Sequence, residues 1–154
     1  MNVITHALLP VLVSVPFSLE RGGGWSRGRR IGLAVVGALP DVLTPHLSLA
    51  ARYSSWSHGV PALLVLAVVL SIVVGSGWRS LGWRYGLWLY FGYALHLFCD
   101  LISGGIAWGH PIWEGIIAVR WVPYRYWIPL DLACVLAVYF IFRAIPRYRA
   151  ARLG

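Results

Sequence analysis

The chain has 154 residues, 59% of them hydrophobic and only 12% charged, with a mean hydropathy of +0.72. Soluble domains carry about 25% charged residues, so this composition argues against a soluble globular domain and for an integral membrane protein. The net charge of +8 comes from thirteen basic residues, all Arg, which border apolar runs and accompany no nucleic-acid motif; their expected partner is an anionic membrane surface.

Five apolar segments follow in chain order, over residues 3–19, 31–50, 60–77, 84–102 and 127–145. Spanning a bilayer takes about 20 residues. The expected fold is therefore all-α: a polytopic transmembrane helical bundle of about five membrane segments, forming a single domain over residues 1–154. The first segment carries Pro10 and Pro16, and the second Pro40 and Pro45, so both are expected to kink or break. Irregular backbone at membrane depth is tolerated where protein or a polar cavity surrounds it, which makes the second segment a candidate wall of a site. Nine Trp and eight Tyr suit the two bilayer interfaces. Cys99 and Cys134 lie inside apolar segments and read as small buried hydrophobes. No secretory cleavage pattern is present, so the first segment is expected to stay in the protein.

The positive-inside rule orients the bundle. Ten Arg fall in the 20–30 loop, the loop between the third and fourth segments, and the C-terminal end; Arg52, Arg120 and Arg125 fall on the other side. The C-terminus is thus expected in the cytoplasm and the N-terminus outside, in the cell (inner) membrane.

With that orientation the ionisable residues are one-sided. All five histidines and every acid except Glu20 lie in the outer half of the bilayer or above it. A carboxylate in hydrocarbon costs about 3 kcal/mol even on the lenient insertion scale, so Asp41 and Asp100 need a cation. The apolar runs around both contain no Arg, whereas imidazoles are abundant. His96 and Asp100, spaced i, i+4, project from one helix face. Such a pair alone also fits a histidine hydrogen-bonded to an acid; with His6, Asp41 and His58 it makes a ligand set of imidazole and carboxylate that suits Zn²⁺, Mn²⁺ or Fe²⁺. His46 and His110, beside Pro45 and Pro111, fit interfacial loop positions as well as metal ligation. Asp131 is expected to cap the fifth helix or pair with Arg125. Glu114, the one glutamate on the outer side, reads as a solvated acid or a base.

Thr5-His6, Gly37-Ala-Leu-Pro40-Asp41, Ser57-His58, His96-Leu-Phe-Cys-Asp100, Gly104-Gly105 and His110-Pro111 stand in an order that resembles the LexA-regulated inner-membrane metal-dependent hydrolases, the YdjM-like family. The resemblance runs from Thr5 to Asp131 and departs from the family pattern at Ser55-Trp56, where a His-Arg pair usually precedes the Ser-His element. The ligand order is also similar, more distantly, to the zinc-dependent phospholipase C and P1 nuclease group. That likeness implies one metal on Asp41, His58, His96 and Asp100, with Asp100 bridging to a second held partly by His6. One or two ions are expected rather than three.

The resemblance implies a membrane-embedded metal-dependent hydrolase. Its expected substrate is an amphiphilic one, a phospholipid or lipid-linked phosphate ester, met at the extracytoplasmic face. Asp41 or Glu114 would serve as base, with His110 as a further candidate ligand. Arg120 and Arg125 would clamp a phosphate, unless they belong to an interfacial belt with Trp121, Tyr124, Tyr126 and Trp127. The alternatives are a metal-ion or proton transporter, and a non-catalytic membrane protein with a structural metal site.

Overall fold

A computed structural model of the chain describes residues 2–19, 25–45, 48–76, 82–113 and 115–153. The chain is mostly helical. Helices α1 (Val3–Leu19), α2 (Arg27–Leu43), the short α3 (Leu49–Tyr53), α4 (Val60–Gly75) and α5 (Trp83–Ser103) are followed by α6 (Trp127–Tyr139), which continues through a π-helical turn, Phe140–Ala144, into α7 (Ile145–Leu153). Among the described residues two stretches are long and apolar enough to cross a membrane, Trp83–Ser103 and Tyr124–Tyr148; Val3–Phe17 and Val60–Gly75 are shorter apolar helices.

The sequence explains where each helix bends or stops. Ser26 starts α2 by accepting the Arg29 amide at 3.3 Å, which supplies one of the partners that a first turn lacks. The second apolar run is divided, as its prolines suggest, but the division falls after Pro40 rather than at it. Pro40 stays inside α2, and Thr44 leaves helical geometry (φ −133°, ψ 79°) because it precedes Pro45. Residues 31–50 therefore form the end of one helix, a break and the short α3, instead of one kinked span. The π-helical turn ends two residues before Pro146, which has no N–H for the regular ladder and whose ring crowds the carbonyl four residues back, inside the turn.

Close helix crossings use glycine. Pro10 has no amide for the His6 carbonyl, and it is at this point of α1 that α2 comes nearest. A Cβ on Gly37 would run into the His6 carbonyl oxygen and lie 2.9 Å from Pro10 Cγ. Gly92 of α5 faces the same proline, with room for a Cβ at 3.4 Å. Three helices thus converge on Pro10.

The buried core has two parts. Val11, Leu33, Tyr85 and Leu89 pack together toward the Arg-rich ends of α1, α2 and α5. Ala62, Tyr93, Leu97 and Ile106 pack at the other end. Many large apolar residues face outward: Leu64, Val65, Val68 and Ile72 of α4, and Ile128, Leu132, Val135 and Leu136 of α6, are exposed. Exposed apolar residues in such number on both helices suit a hydrocarbon environment.

One element lies outside the all-α expectation. The connection from α5 to α6 folds as a two-stranded antiparallel ribbon, β1 (Ile106–Ala107) with β2 (Ile116–Ile117), pairing Ile106 with Ile117 and Ala107 with Ile116. Both β1 residues are buried and both β2 residues exposed, so the connection packs through its first strand.

Candidate metal centre

Four segments bring the polar residues together. His6 comes from the first turns of α1, Asp41 from the last turn of α2, His58 from the 3₁₀ turn Trp56–His58 before α4, and His96 and Asp100 from α5. Ligand atoms of Asp41, His58, His96 and Asp100 all lie within 4.8 Å of one another. His6 Nε2 stands 3.2 Å from Asp100 Oδ1, on the flank of that group, with its ring stacked on His96 at a centroid distance of 3.9 Å. His6, His58, His96 and Asp100 are buried, and Asp41 alone keeps a measurable share of its side chain, 10%, exposed.

The imidazoles of His58 and His96 are held from behind. His96 Nδ1 lies 2.7 Å from the Gly37 carbonyl oxygen, an acceptor only, so Nδ1 carries the proton and donates it. In the neutral ring Nε2 is then a lone pair, and it points at Asp100 Oδ2 (3.2 Å) and Asp41 Oδ1 (3.7 Å). Three acceptors therefore face each other across a buried space, and among the described residues His96 Nε2 has no hydrogen-bond partner. A cation between them resolves that arrangement. Donors bound at about 2.0–2.2 Å to one ion lie within about 4.3 Å of each other, so side-chain shifts of a few tenths of an ångström close this set on a metal. Two imidazoles and two carboxylates are donors that Zn²⁺, Mn²⁺ and Fe²⁺ accept.

His58 is positioned by a hydroxyl cluster. Its Nδ1 lies 2.8 Å from Ser55 Oγ, and Ser57 Oγ donates to the Pro40 carbonyl at 2.8 Å. The Thr44 hydroxyl joins both serines and also bonds the Pro40 carbonyl, so the end of α2 and the turn carrying His58 are tied into one unit. His58 Nε2 faces Asp41 Oδ1 at 3.2 Å. Burial pushes the His58 imidazole below its ordinary pKa, and the Asp41 bond offsets this only in part, which favours the neutral, ligating form.

The structure adds a residue that the sequence reading left outside the site. Arg52, itself buried, places Nη1 2.5 Å from Asp100 Oδ1 and Nη2 3.0 Å from the Gly105 carbonyl. The two oxygens of Asp100 are thus divided: Oδ2 faces His96 and His58, while Oδ1 faces His6 and Arg52. The apolar runs around the two aspartates contain no Arg, and the one that reaches Asp100 comes from outside them. The arginine arrives from α3, 48 residues away in sequence, because Gly104-Gly105 ends α5 in a turn with Gly105 at φ +98° that aims its carbonyl at the guanidinium. Tyr53 Oη donates to the Gly104 carbonyl at 2.8 Å and completes the latch between α3 and α5.

The remaining candidates lie elsewhere. His110 is half-buried in the α5–α6 connection, its carbonyl against Gly59, and its ring is not among the clustered donors. Arg120 and Arg125 are exposed on the same connection, Arg125 over the Tyr126 ring at 5.0 Å. Glu114 and His46 fall outside the described residues. Asp131 neither caps α6 nor pairs with Arg125. Its Oδ1 accepts the Thr5 amide (2.9 Å) and hydroxyl (2.5 Å), and its Oδ2 accepts the Asn2 amide at 2.7 Å, so it caps α1 from a neighbouring helix.

A helical domain with a lipid-compatible surface, enclosing a buried His/Asp donor cluster, defines a membrane protein with a candidate metal-binding centre. Within that class the chain belongs to the YdjM inner membrane protein family, whose model it matches over residues 1–153. No curated protein and no solved structure matches the chain.

Proposed function

We propose that the protein is a metal-dependent hydrolase of the inner membrane that cleaves an amphiphilic phosphate ester, a phospholipid or a lipid-linked phosphate, at the extracytoplasmic face. The observation that carries this reading is the orphaned His96 Nε2 aimed at two carboxylates inside a four-residue donor set. Asp41, His58, His96 and Asp100 would hold one divalent ion, Zn²⁺ in the first place and Mn²⁺ or Fe²⁺ otherwise. A second ion is not required, because Arg52 already supplies positive charge to the far oxygen of Asp100. When bound, such an ion supplies Lewis acidity toward a phosphoryl oxygen and lowers the pKa of water.

The chain's own residues do the rest. His96 and His58 are fixed in orientation by Gly37 and Ser55, so neither must reorganise during turnover. Asp41 is the clustered residue that reaches the surface, and its carboxylate accepts the proton of the attacking water. Exposed Val42, Leu43 and Trp56 adjoin Asp41 and His58, offering apolar surface to a substrate with acyl or isoprenyl chains. Arg120 and Arg125 stand exposed on the connection after α5, available to a headgroup phosphate.

The reading includes a bundle of about five membrane segments with the Arg-rich ends in the cytoplasm, the N-terminus outside and the metal centre in the outer half. A transport pathway is less well supported. Between the centre and the Arg-rich ends the described core is Val11, Leu33, Tyr85 and Leu89, and the hydroxyls there, of Ser14 and Tyr85, are turned to the Val11 and Arg29 carbonyls, which offers an ion no charged step.

The test is elemental analysis of the purified chain, paired with a hydrolysis screen over lipid phosphates. We expect about one Zn²⁺, Mn²⁺ or Fe²⁺ per chain, and phosphate release that His96→Ala abolishes. Full metal retention in His96→Ala would remove the proposed centre. A metal-loaded chain inert toward every lipid phosphate, with a coordination sphere closed to water, would instead leave a structural site.

A further inference from the structure

A second site lies at the start of α2, beside the middle of α1. There a groove of about 480 Å³ opens between α1, α2 and the π-helical turn after α6. Its apolar wall includes Val11, Val138 and Phe142, and three arginines line it: Arg27 and Arg30 from α2 and Arg143 from the π-helical turn. Val11 is buried, Arg30 half-buried, and Arg27 and Arg143 exposed, so the groove runs from a cationic rim to an apolar floor. Arg30 and Asp41 are eleven residues apart on α2, about 16 Å along its axis, which separates this groove from the metal centre.

The charge at the rim is not neutralised by the described carboxylates. Asp41 and Asp100 belong to the metal centre, and Asp131 is bound to Thr5 and Asn2 at the far end of α1. The positive end of the α2 dipole adds to the same field, since Arg27 begins that helix. Arg30 is held with its guanidinium carbon 4.3 Å from the Phe142 ring centroid, and a guanidinium resting on a ring keeps its N–H groups for a phosphate.

We propose that this groove binds one anionic phospholipid of the leaflet that holds the Arg-rich loops, the phosphate seated among Arg27, Arg30 and Arg143 and an acyl chain lying along Val11, Val138 and Phe142. A soluble phosphate would meet the same arginines but would leave the apolar wall empty, and basic pockets between membrane helices are suited to anionic headgroups. The bound lipid ties α2 to the α6–α7 helix at the ends remote from the metal centre. The inference is independent of the hydrolase reading.

The experiment uses the full chain in detergent, titrated with short-chain phosphatidylglycerol or with phosphatidylcholine of the same chain length, and read by native mass spectrometry. We expect one phosphatidylglycerol per chain, bound roughly tenfold more tightly than phosphatidylcholine. Arg30→Gln with Arg143→Gln should bring phosphatidylglycerol to the phosphatidylcholine level. Arg84→Gln with Arg147→Gln, which removes equal charge outside the groove, should keep the preference within about threefold of the unmodified chain. Arg143→Gln alone, at an exposed residue with little bearing on folding, should cost about threefold or more. The proposal is overturned by no headgroup preference, by equal losses in the two double variants, or by glycerol phosphate without chains binding as tightly as the lipid.

Discussion

Arg52 shows how far a residue-level reading reaches. The i, i+4 pair His96 and Asp100 was legible because one helix carries both, and their Nε2 and Oδ2 atoms do lie 3.2 Å apart. Arg52 was not, because its link to Asp100 depends on how α3 docks on the glycine turn after α5, and no local spacing encodes that. The pairing has a measurable consequence. Removing one partner of a buried ion pair costs about 3–5 kcal/mol, since the other charge stays buried without compensation. Arg52→Ala is therefore expected to lower the unfolding midpoint of the metal-free protein in detergent. Because a bound cation also supports Asp100, added Zn²⁺ should raise the midpoint more in the variant than in the parent chain. Equal Zn²⁺-induced shifts in the two would mean that Arg52 and the metal do not share Asp100.

At the scale of elements, the centre depends on crossings and caps more than on its ligands' own helices. The prolines signalled irregular helices, but not that Pro10 would be where α1, α2 and α5 meet, since a sequence shows the missing amide and not the neighbour that fills the space. Gly37 is the sensitive point: a Cβ there collides with the His6 carbonyl, while the Gly37 carbonyl holds His96. Gly37→Ala is expected to cost about 1–3 kcal/mol through overpacking and to weaken metal binding, read by calorimetric titration, with the helical circular dichroism retained. Gly28→Ala, where nothing lies within 4 Å of the new Cβ, is the matched control and should change neither. Asp131 makes a similar point. A sequence reading assigns an acid near a helix start to that helix, whereas the carboxylate reaches across to α1. Asp131→Ala should cost about 1 kcal/mol of stability, the usual worth of a cap, and Thr5→Val in the same background should add little because both act through one contact. Additive losses in that double variant would separate the two residues.

For the whole molecule, composition predicted the environment, and the exposed Leu, Val and Ile of α4 and α6 agree with it. What composition could not resolve is which runs are long enough to cross, because Pro45 ends the second run early and α1 and α4 fall short of the usual span length. The proposed orientation places every described arginine except Arg52, Arg120 and Arg125 in the cytoplasm. Cys99 and Cys134 are both buried, so single cysteines introduced at exposed positions can be labelled against a low background. Gly28→Cys, at the Arg-rich start of α2, should react with a membrane-impermeant maleimide only after the membrane is opened. Ile112→Cys, 85% exposed in the α5–α6 connection, should react in intact cells. If both react from outside, α2 does not cross, and the metal centre and the arginine groove lie on the same face of the membrane. The reverse pattern would turn the bundle over and put the metal centre, with any lipid phosphate it acts on, in the cytoplasmic leaflet.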